Sequence, residues 1–176
     1  MGRRISYQTK LYLCKKFYEA CYHFWFVQNK VHNDLKLDNI LISDCFSKLL
    51  LCDFGHTTQY NMVLRTYVGT PEYRAPEINE PAGPFSAAKA EVFAFASVLF
   101  ALFFEKLPFS KMATSNDPLY KLVKGGEYEK FFASHNQSEE TVIFLRESGI
   151  LSLLSNCFNS KEDRYSPELL KDHPFI

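Results

Sequence analysis

The chain has 176 residues, enough for one folded domain with a substantial core, and 47% of them are hydrophobic while 23% are charged. These proportions exclude a disordered protein. Twenty basic and twenty acidic side chains give a net charge of zero, and without a basic excess we expect no nucleic-acid partner. Aromatic residues make up 16%, and we expect them to fill a bulky core before they serve a ligand.

The cysteine pattern bears on compartment and on metal binding. The number of cysteines is odd and no two have C-x-x-C spacing, which argues against a disulfide framework and against a zinc site. We therefore expect a reducing, intracellular environment and a cytoplasmic location, in line with a sequence that shows no secretory signal. The cysteines are Cys14, Cys21, Cys45, Cys52 and Cys157.

Two features bear on membrane attachment. The longest apolar run, residues 92–104, is shorter than the roughly 20 residues of a transmembrane helix, so we expect a buried core helix and no transmembrane segment. Residues 1–6 fit the loose pattern for N-myristoylation at Gly2, and two arginines there could add a second membrane signal. Because the pattern is short, an ordinary chain start is the interpretation that we prefer.

The first predicted element is a helix over residues 7–29. Its apolar residues fall on two stripes at helical spacing, which predicts a helix buried on most of its circumference. One stripe contains Leu11, Cys14, Tyr18, Cys21 and Trp25, and the other contains Leu13, Phe17, Ala20, Phe24 and Val27. The remaining positions hold Lys10, Lys15, Lys16 and Glu19.

The next elements are a β-hairpin, a loop and further helices. Apolar runs at residues 40–42 and 49–52, separated by a segment with turn-forming ends, predict the hairpin. A loop rich in glycine and proline follows, and residues 87–105 form a strongly apolar helix. Ser166 and Pro167 are a good N-cap and first residue for the last helix. The predicted fold class is mainly α with a small β-hairpin.

The hairpin should bring four polar side chains together. Asn39 lies where the first strand starts and Asp53 where the second ends, and antiparallel pairing places both at the same end. Asp34 and Lys36 come just before the first strand. Two carboxylates, an amide and a lysine suit a divalent cation with bound phosphate. Asp and Asn are also common in turns, which would explain any one of them alone.

Three segments resemble motifs of the protein kinases. Residues 31–39, VHNDLKLDN, resemble the catalytic loop H-R-D-L-x-x-x-N, and residues 53–55 match its metal-binding partner D-F-G. Residues 69–77, GTPEYRAPE, resemble the end of the activation segment. From about residue 5 to the end, the sequence resembles the C-terminal lobe of a eukaryotic protein kinase. Lys36 and the GTPEY string favour the serine/threonine type.

The resemblance implies an activity, its cofactors and five site residues. The activity is transfer of the γ-phosphoryl group of ATP, with Mg²⁺, to serine or threonine of a protein substrate. Asp34 would accept or orient the substrate hydroxyl proton, and Lys36 would contact the γ-phosphate. Asn39 and Asp53 would hold the magnesium ion. Leu41 falls where such kinases place a side chain under the adenine ring.

The same resemblance implies structural roles for residues around this site. Thr70 would brace the catalytic loop. Glu77 and Arg164 would form a buried ion pair that ties the activation segment to the last helices. His32 and Phe54 would be core packing residues rather than catalysts.

One region and several positions, among them Asn33 and Glu91, depart from the family pattern. Kinases place a smaller, mostly β lobe before this region, with a glycine-rich loop and a strand lysine. No G-x-G occurs among the seven glycines, so we expect that lobe to be absent from residues 1–176 or supplied elsewhere. Asn33 stands where the family usually has an arginine that pairs with a phosphate on the activation segment. Glu91 replaces the usual aspartate of the central buried helix, which adds one methylene at a hydrogen-bonded position.

Two functions remain open from the sequence. The first is a phosphotransferase lobe over residues 1–176. It would be weak or inactive by itself, because no N-terminal lobe would cover the bound ATP and exclude water from the site. The alternative is a truncated pseudokinase that serves as a protein-binding or regulatory module. Exposed apolar residues in the cleft, such as Leu41, would favour a partner protein.

Overall fold

The computed structural model describes residues 5–80, 83–135 and 137–176, and these are mostly helical. The predicted myristoylation site, Gly2, lies outside the described residues. The helices are α1 (Tyr7–Tyr22), α2 (Pro76–Asn79), α3 (Ala87–Phe104), α4 (Pro118–Lys124), α5 (Tyr128–Ala133), α6 (Glu139–Glu147), α7 (Ile150–Phe158) and α8 (Pro167–Leu170). A π-helical turn, His23–Val27, continues α1, and a 3-10 turn covers Leu37–Asn39.

The strands are short and pair in twos. They are β1 (Lys30–Val31), β2 (Ile40–Ile42), β3 (Leu49–Leu51), β4 (Thr58–Gln59), β5 (Val63–Leu64) and β6 (Phe85–Ser86). The described sheets are all antiparallel pairs: β1 with β4, β2 with β3, and β5 with β6. The predicted fold class is confirmed, and the pairs β1–β4 and β5–β6 add to the one hairpin that the sequence predicts.

Helix α3 forms the centre of the core. Its N-cap, Ser86, accepts a hydrogen bond from the backbone N–H of Lys89, and 15 of its 18 residues are buried. Within the described part of the chain, α3 alone is long and apolar enough to cross a membrane, but most of it is buried against the rest of the protein. It is therefore the core helix that the sequence predicts. Aromatic rings pack around it, and Phe100 stacks on Phe104 with centroids 4.0 Å apart.

Helix α1 packs against α3 and starts at a serine cap. The Ser6 side chain accepts from the backbone N–H of Thr9 at 3.2 Å. Lys10 is only 5% exposed, although it lies between the apolar stripes. Its ammonium donates to Glu105 at 2.9 Å and to the carbonyl of Phe103 at 3.4 Å. The lysine thus offers a cation to the C-terminal end of α3, where helix carbonyls lack partners.

The hairpin β2–β3 is antiparallel, as the sequence predicts. Ile40 lies opposite Leu51, and Leu41 lies opposite Leu50. The backbone N–H of Cys52 donates to the carbonyl of Asn39 at 3.0 Å, which extends the pairing by one residue. Asn39 and Asp53 therefore lie at the same end of the hairpin.

Candidate active site

A buried carboxylate is the centre of the predicted catalytic loop. Asp34 is 5% exposed, and each of its carboxylate oxygens accepts hydrogen bonds. Oδ1 accepts from the hydroxyl of Thr70 at 2.7 Å. Oδ2 accepts from the ammonium of Lys36 at 3.0 Å and from the amide of Asn39 at 3.2 Å. Lys36 also donates to Thr70 at 2.9 Å, so Asp34, Lys36 and Thr70 form a closed triangle of hydrogen bonds, to which Asn39 is attached through Asp34.

This network determines the charge state of the site. Burial by itself would raise the pKa of Asp34, but hydrogen bonds from Thr70 and Lys36, together with the Lys36 charge, lower that pKa below its usual value. The hydrogen bond to Asp34 raises the pKa of Lys36. Both groups are therefore ionised at neutral pH, and the carboxylate is a weak base.

His32 connects this loop to the end of the hairpin. Its Nε2–H donates to the carbonyl of Cys52 at 2.9 Å, and its Nδ1 accepts from the backbone N–H of Asp34 at 3.3 Å. These two contacts require the neutral ring with its proton on Nε2. Burial lowers the pKa of His32, which favours the same neutral form. The ring is fully buried, and each of its nitrogens has a backbone partner.

A second buried carboxylate, on α3, binds the backbone of the predicted catalytic loop. Glu91 of α3 is 3% exposed and accepts from the indole N–H of Trp25 at 2.7 Å and from the backbone N–H of Asn33 at 2.5 Å. Burial raises the pKa of Glu91 to about 7, even though these hydrogen bonds oppose the rise. Sequence reasoning did not identify Trp25 in this role. Its position on an apolar stripe of the helix predicted over residues 7–29 was the available signal, because a buried indole needs an acceptor.

The activation segment is attached to the helices by an ion pair. Arg164 is 1% exposed and binds Glu77 through two parallel hydrogen bonds of 2.5 and 2.9 Å. Its guanidinium also donates to the carbonyl of Lys89 at 3.2 Å and lies 5.1 Å from the ring centroid of Phe93. This pair joins α2 to the segment before α8, as the resemblance implies.

Gly69 lets the activation segment approach the catalytic loop. Its φ is +78°, and a Cβ at this position would lie 2.4 Å from the carbonyl oxygen of Asn33. Only glycine fits a site with both features. Arg74 donates from Nε to the carbonyls of Val68 and Gly69, each at 2.8 Å, and thereby holds the turn that places Thr70 against Asp34.

Comparison with known proteins identifies the family. A family model for the protein kinase domain matches residues 5–176. The chain belongs to the protein kinase family. It is 30% identical over 131 residues to NUAK family SNF1-like kinase 1 of Mus musculus, an alignment that covers 73% of this chain and 19% of that protein.

Two relatives from Schizosaccharomyces pombe are also named as protein kinases. Mitosis inducer protein kinase cdr1 is 36% identical over 100 residues, which cover 56% of this chain and 16% of the relative. Meiosis-specific serine/threonine-protein kinase mek1 is 51% identical over 61 residues, which cover 32% of this chain and 14% of the relative. The chain thus spans about a fifth or less of the length of these kinases.

Two side chains with hard oxygen atoms, Asn39 and Asp53, lie at the end of the hairpin where the sequence predicts a metal site. Asp53 is exposed, with its backbone in the left-handed region at φ 63°. The amide nitrogen of Asn39 is committed to Asp34, which leaves its Oδ1 as the atom for a cation. Magnesium takes hard oxygen ligands and needs few from protein. Among the described residues, no group of three or more His, Cys, Asp or Glu side chains could hold a metal ion.

Two apolar residues of the kinase site are exposed. Leu41, at the predicted adenine position, is 54% exposed. Phe54 departs from the predicted core position because it is 50% exposed. One side of its ring stacks on Phe24 at 5.4 Å, and it lies 5.4 Å from the ring of His32. Phe54 follows β3, the second strand of the hairpin, and its neighbours cover only part of its ring.

Proposed function

We propose that this chain is the C-terminal lobe of a serine/threonine protein kinase that transfers the γ-phosphoryl group of ATP to a protein hydroxyl. The observation that carries the proposal is the network around Asp34. A buried carboxylate shared by a lysine, a threonine and an amide is more than core packing requires, since burying charge is unfavourable unless it is fully paired.

The ionised Asp34 orients the substrate hydroxyl and accepts its proton late. A carboxylate with a lowered pKa removes a proton poorly in the ground state. Phosphoryl transfer passes through a loose transition state in most analyses, so positioning of the nucleophile matters more than early deprotonation. Lys36, which stays protonated, supplies positive charge beside the group that is transferred.

The cofactors of this reaction are ATP and Mg²⁺. Asn39 and Asp53 would hold the metal ion, which neutralises charge on the phosphates when bound. Leu41 would pack under the adenine ring. The glycine-rich loop and strand lysine of the family would come from a lobe supplied elsewhere, in the same polypeptide or in another.

A second function, a protein-binding module, is favoured by one observation. Apolar side chains are exposed around the hairpin and the site, and clusters of this kind commonly bind a partner protein. Their exposed fractions range from 42% to 60% for Leu37, Leu41, Ile42, Leu50 and Phe54. A regulatory partner would cover these residues without any phosphotransfer.

A phosphotransfer assay decides between the two functions. The full translation product of the native transcript is incubated with γ-labelled ATP, Mg²⁺ and a protein substrate rich in serine and threonine. We expect label transfer that Asp34→Asn and Asp53→Ala each reduce by about 100-fold or more, because each removes charge from the transition state.

The matched control is Asp44→Asn, which makes the same chemical change at an exposed aspartate in the far turn of the hairpin. It should leave the rate unchanged. If the native protein transfers no label and Asp34→Asn changes nothing, the kinase proposal is refuted and the binding module is left.

A further inference from the structure

Asn33 joins two parts of the site through its side chain. Its backbone φ of 63° lies in the left-handed region, which asparagine adopts more readily than most residues. The side-chain amide Nδ2 donates to the hydroxyl of Thr58 and to the carbonyl of His56, both at 2.8 Å. A third, longer contact reaches the carbonyl of Val31 at 3.4 Å.

Both close acceptors belong to the segment that begins at Asp53. From there the chain turns, with the backbone N–H of Thr57 donating to the carbonyl of Phe54 at 3.1 Å. It then enters β4, where Thr58 lies opposite Val31 of β1. The amide of Asn33 therefore contacts both the turn and the strand that follow Asp53.

We propose that Asn33 is a positioning residue, whose uncharged amide fixes residues 53–58, and with them Asp53, without any phosphorylated side chain. The inference rests on the proposed function only where it treats Asp53 as a metal ligand. The resemblance implies that the arginine usually found at this position pairs with a phosphate on the activation segment. Asn33 instead binds a hydroxyl and a carbonyl, which are present whether or not the activation segment is phosphorylated.

The competing explanation is that asparagine stands here only because its backbone tolerates a positive φ. Three changes separate the two. Asn33→Asp keeps the shape but replaces the amide donor with an acceptor. Asn33→Gly keeps the backbone conformation and removes the amide. Thr58→Val removes the acceptor hydroxyl at nearly constant size, and Thr58→Ser, which retains a hydroxyl, is its matched control.

Hydrogen exchange of the 176-residue chain, followed by mass spectrometry, measures the effect. We expect the peptide covering residues 53–60 to exchange about three- to tenfold faster in Thr58→Val, as the loss of one hydrogen bond predicts. Asn33→Asp and Asn33→Gly should exchange at least as fast as Thr58→Val, because they also lose the hydrogen bond to the carbonyl of His56. Thr58→Ser should match the wild type, and a peptide from α7 should be unchanged throughout. The double variant Asn33→Asp/Thr58→Val should exchange little faster than Asn33→Asp alone, because Asn33→Asp already removes the contact with Thr58.

Ionic strength gives an independent test of an uncharged contact. Protection of residues 53–60 should stay constant between about 0.05 and about 0.5 M NaCl, a range over which exposed charge pairs are strongly screened. The proposal is overturned if protection falls with salt, if Asn33→Gly exchanges like the wild type, or if α7 accelerates as much as residues 53–60. Exchange needs neither ATP nor turnover, so a chain without kinase activity can still pass this test.

Discussion

Protonation of Glu91 should make the stability of this protein depend on pH near neutrality. Burial raises the pKa of this carboxyl to about 7 in the folded chain, against 4.5 as its ordinary value. As pH rises between these two values, the unfolded chain ionises while the folded chain keeps the proton. The free energy of unfolding therefore falls over that interval and levels off above about pH 7. At 1.36 kcal/mol per pKa unit, the loss is roughly 3 kcal/mol.

Glu91→Gln isolates this effect. A glutamine does not titrate, and its NH₂ group would face the indole N–H of Trp25 or the backbone N–H of Asn33, donor against donor. Relative to the wild type with protonated Glu91, that mismatch should destabilise the variant by about 1–3 kcal/mol, and the cost of the mismatch itself does not change with pH. Burial lowers the pKa of His32 and His135, which gives a stability gain with rising pH. Both proteins share that gain, so it cancels in the difference between them.

Urea unfolding followed by tryptophan fluorescence gives the measurement, since Trp25 is the single tryptophan and is 1% exposed. The wild-type advantage over Glu91→Gln should shrink by roughly 3 kcal/mol from about pH 4.5 to about pH 7.5. The native emission of the wild type alone should also change near neutral pH, because its indole binds the titrating carboxyl. A constant difference in unfolding free energy, with no such change in emission, would refute the reasoning.

Three further outcomes follow from single contacts. Arg164→Met leaves Glu77 buried without its partner and should lower the free energy of unfolding by about 3–5 kcal/mol, measured by urea denaturation. Thr70→Val removes a donor to Asp34, so the carboxyl pKa should rise in an NMR titration, while Thr70→Ser should not shift it. Phe54→Ala should cost less than about 1.5 kcal/mol in the same denaturation assay, against about 3–5 for a fully buried phenylalanine, because half of this ring is exposed.

The fold could be predicted where the sequence is long and periodic. Helix α3 has eighteen residues, most of them apolar, and α1 has two apolar stripes. Both sequences therefore show a strong helical pattern over several turns. The pairs β1–β4 and β5–β6 could not be predicted. Each has two residues per strand, and two residues cannot show an alternating pattern. The positions of these strands follow from tertiary contacts that no short segment encodes.

The site could be predicted as a set of residues but not as a network. Motif spacing and the hairpin argument name Asp34, Lys36, Asn39 and Asp53, which the structure places around the same end of the hairpin. The sequence does not reveal that Thr70 accepts from Lys36 while it donates to Asp34. These two hydrogen bonds depend on the close approach of two loops that are far apart in the chain. The direction of each hydrogen bond is set only when both loops are in place.

Two departures from the family pattern, Asn33 and Glu91, are in direct contact. The backbone N–H of Asn33 donates to Glu91, and the side chain of Asn33 donates to Thr58. Asn33, in its left-handed conformation, thus makes two kinds of contact. Its backbone N–H binds α3, and its side-chain amide binds the segment that follows Asp53. Substitutions at the two positions should therefore combine non-additively, as those of contacting residues commonly do.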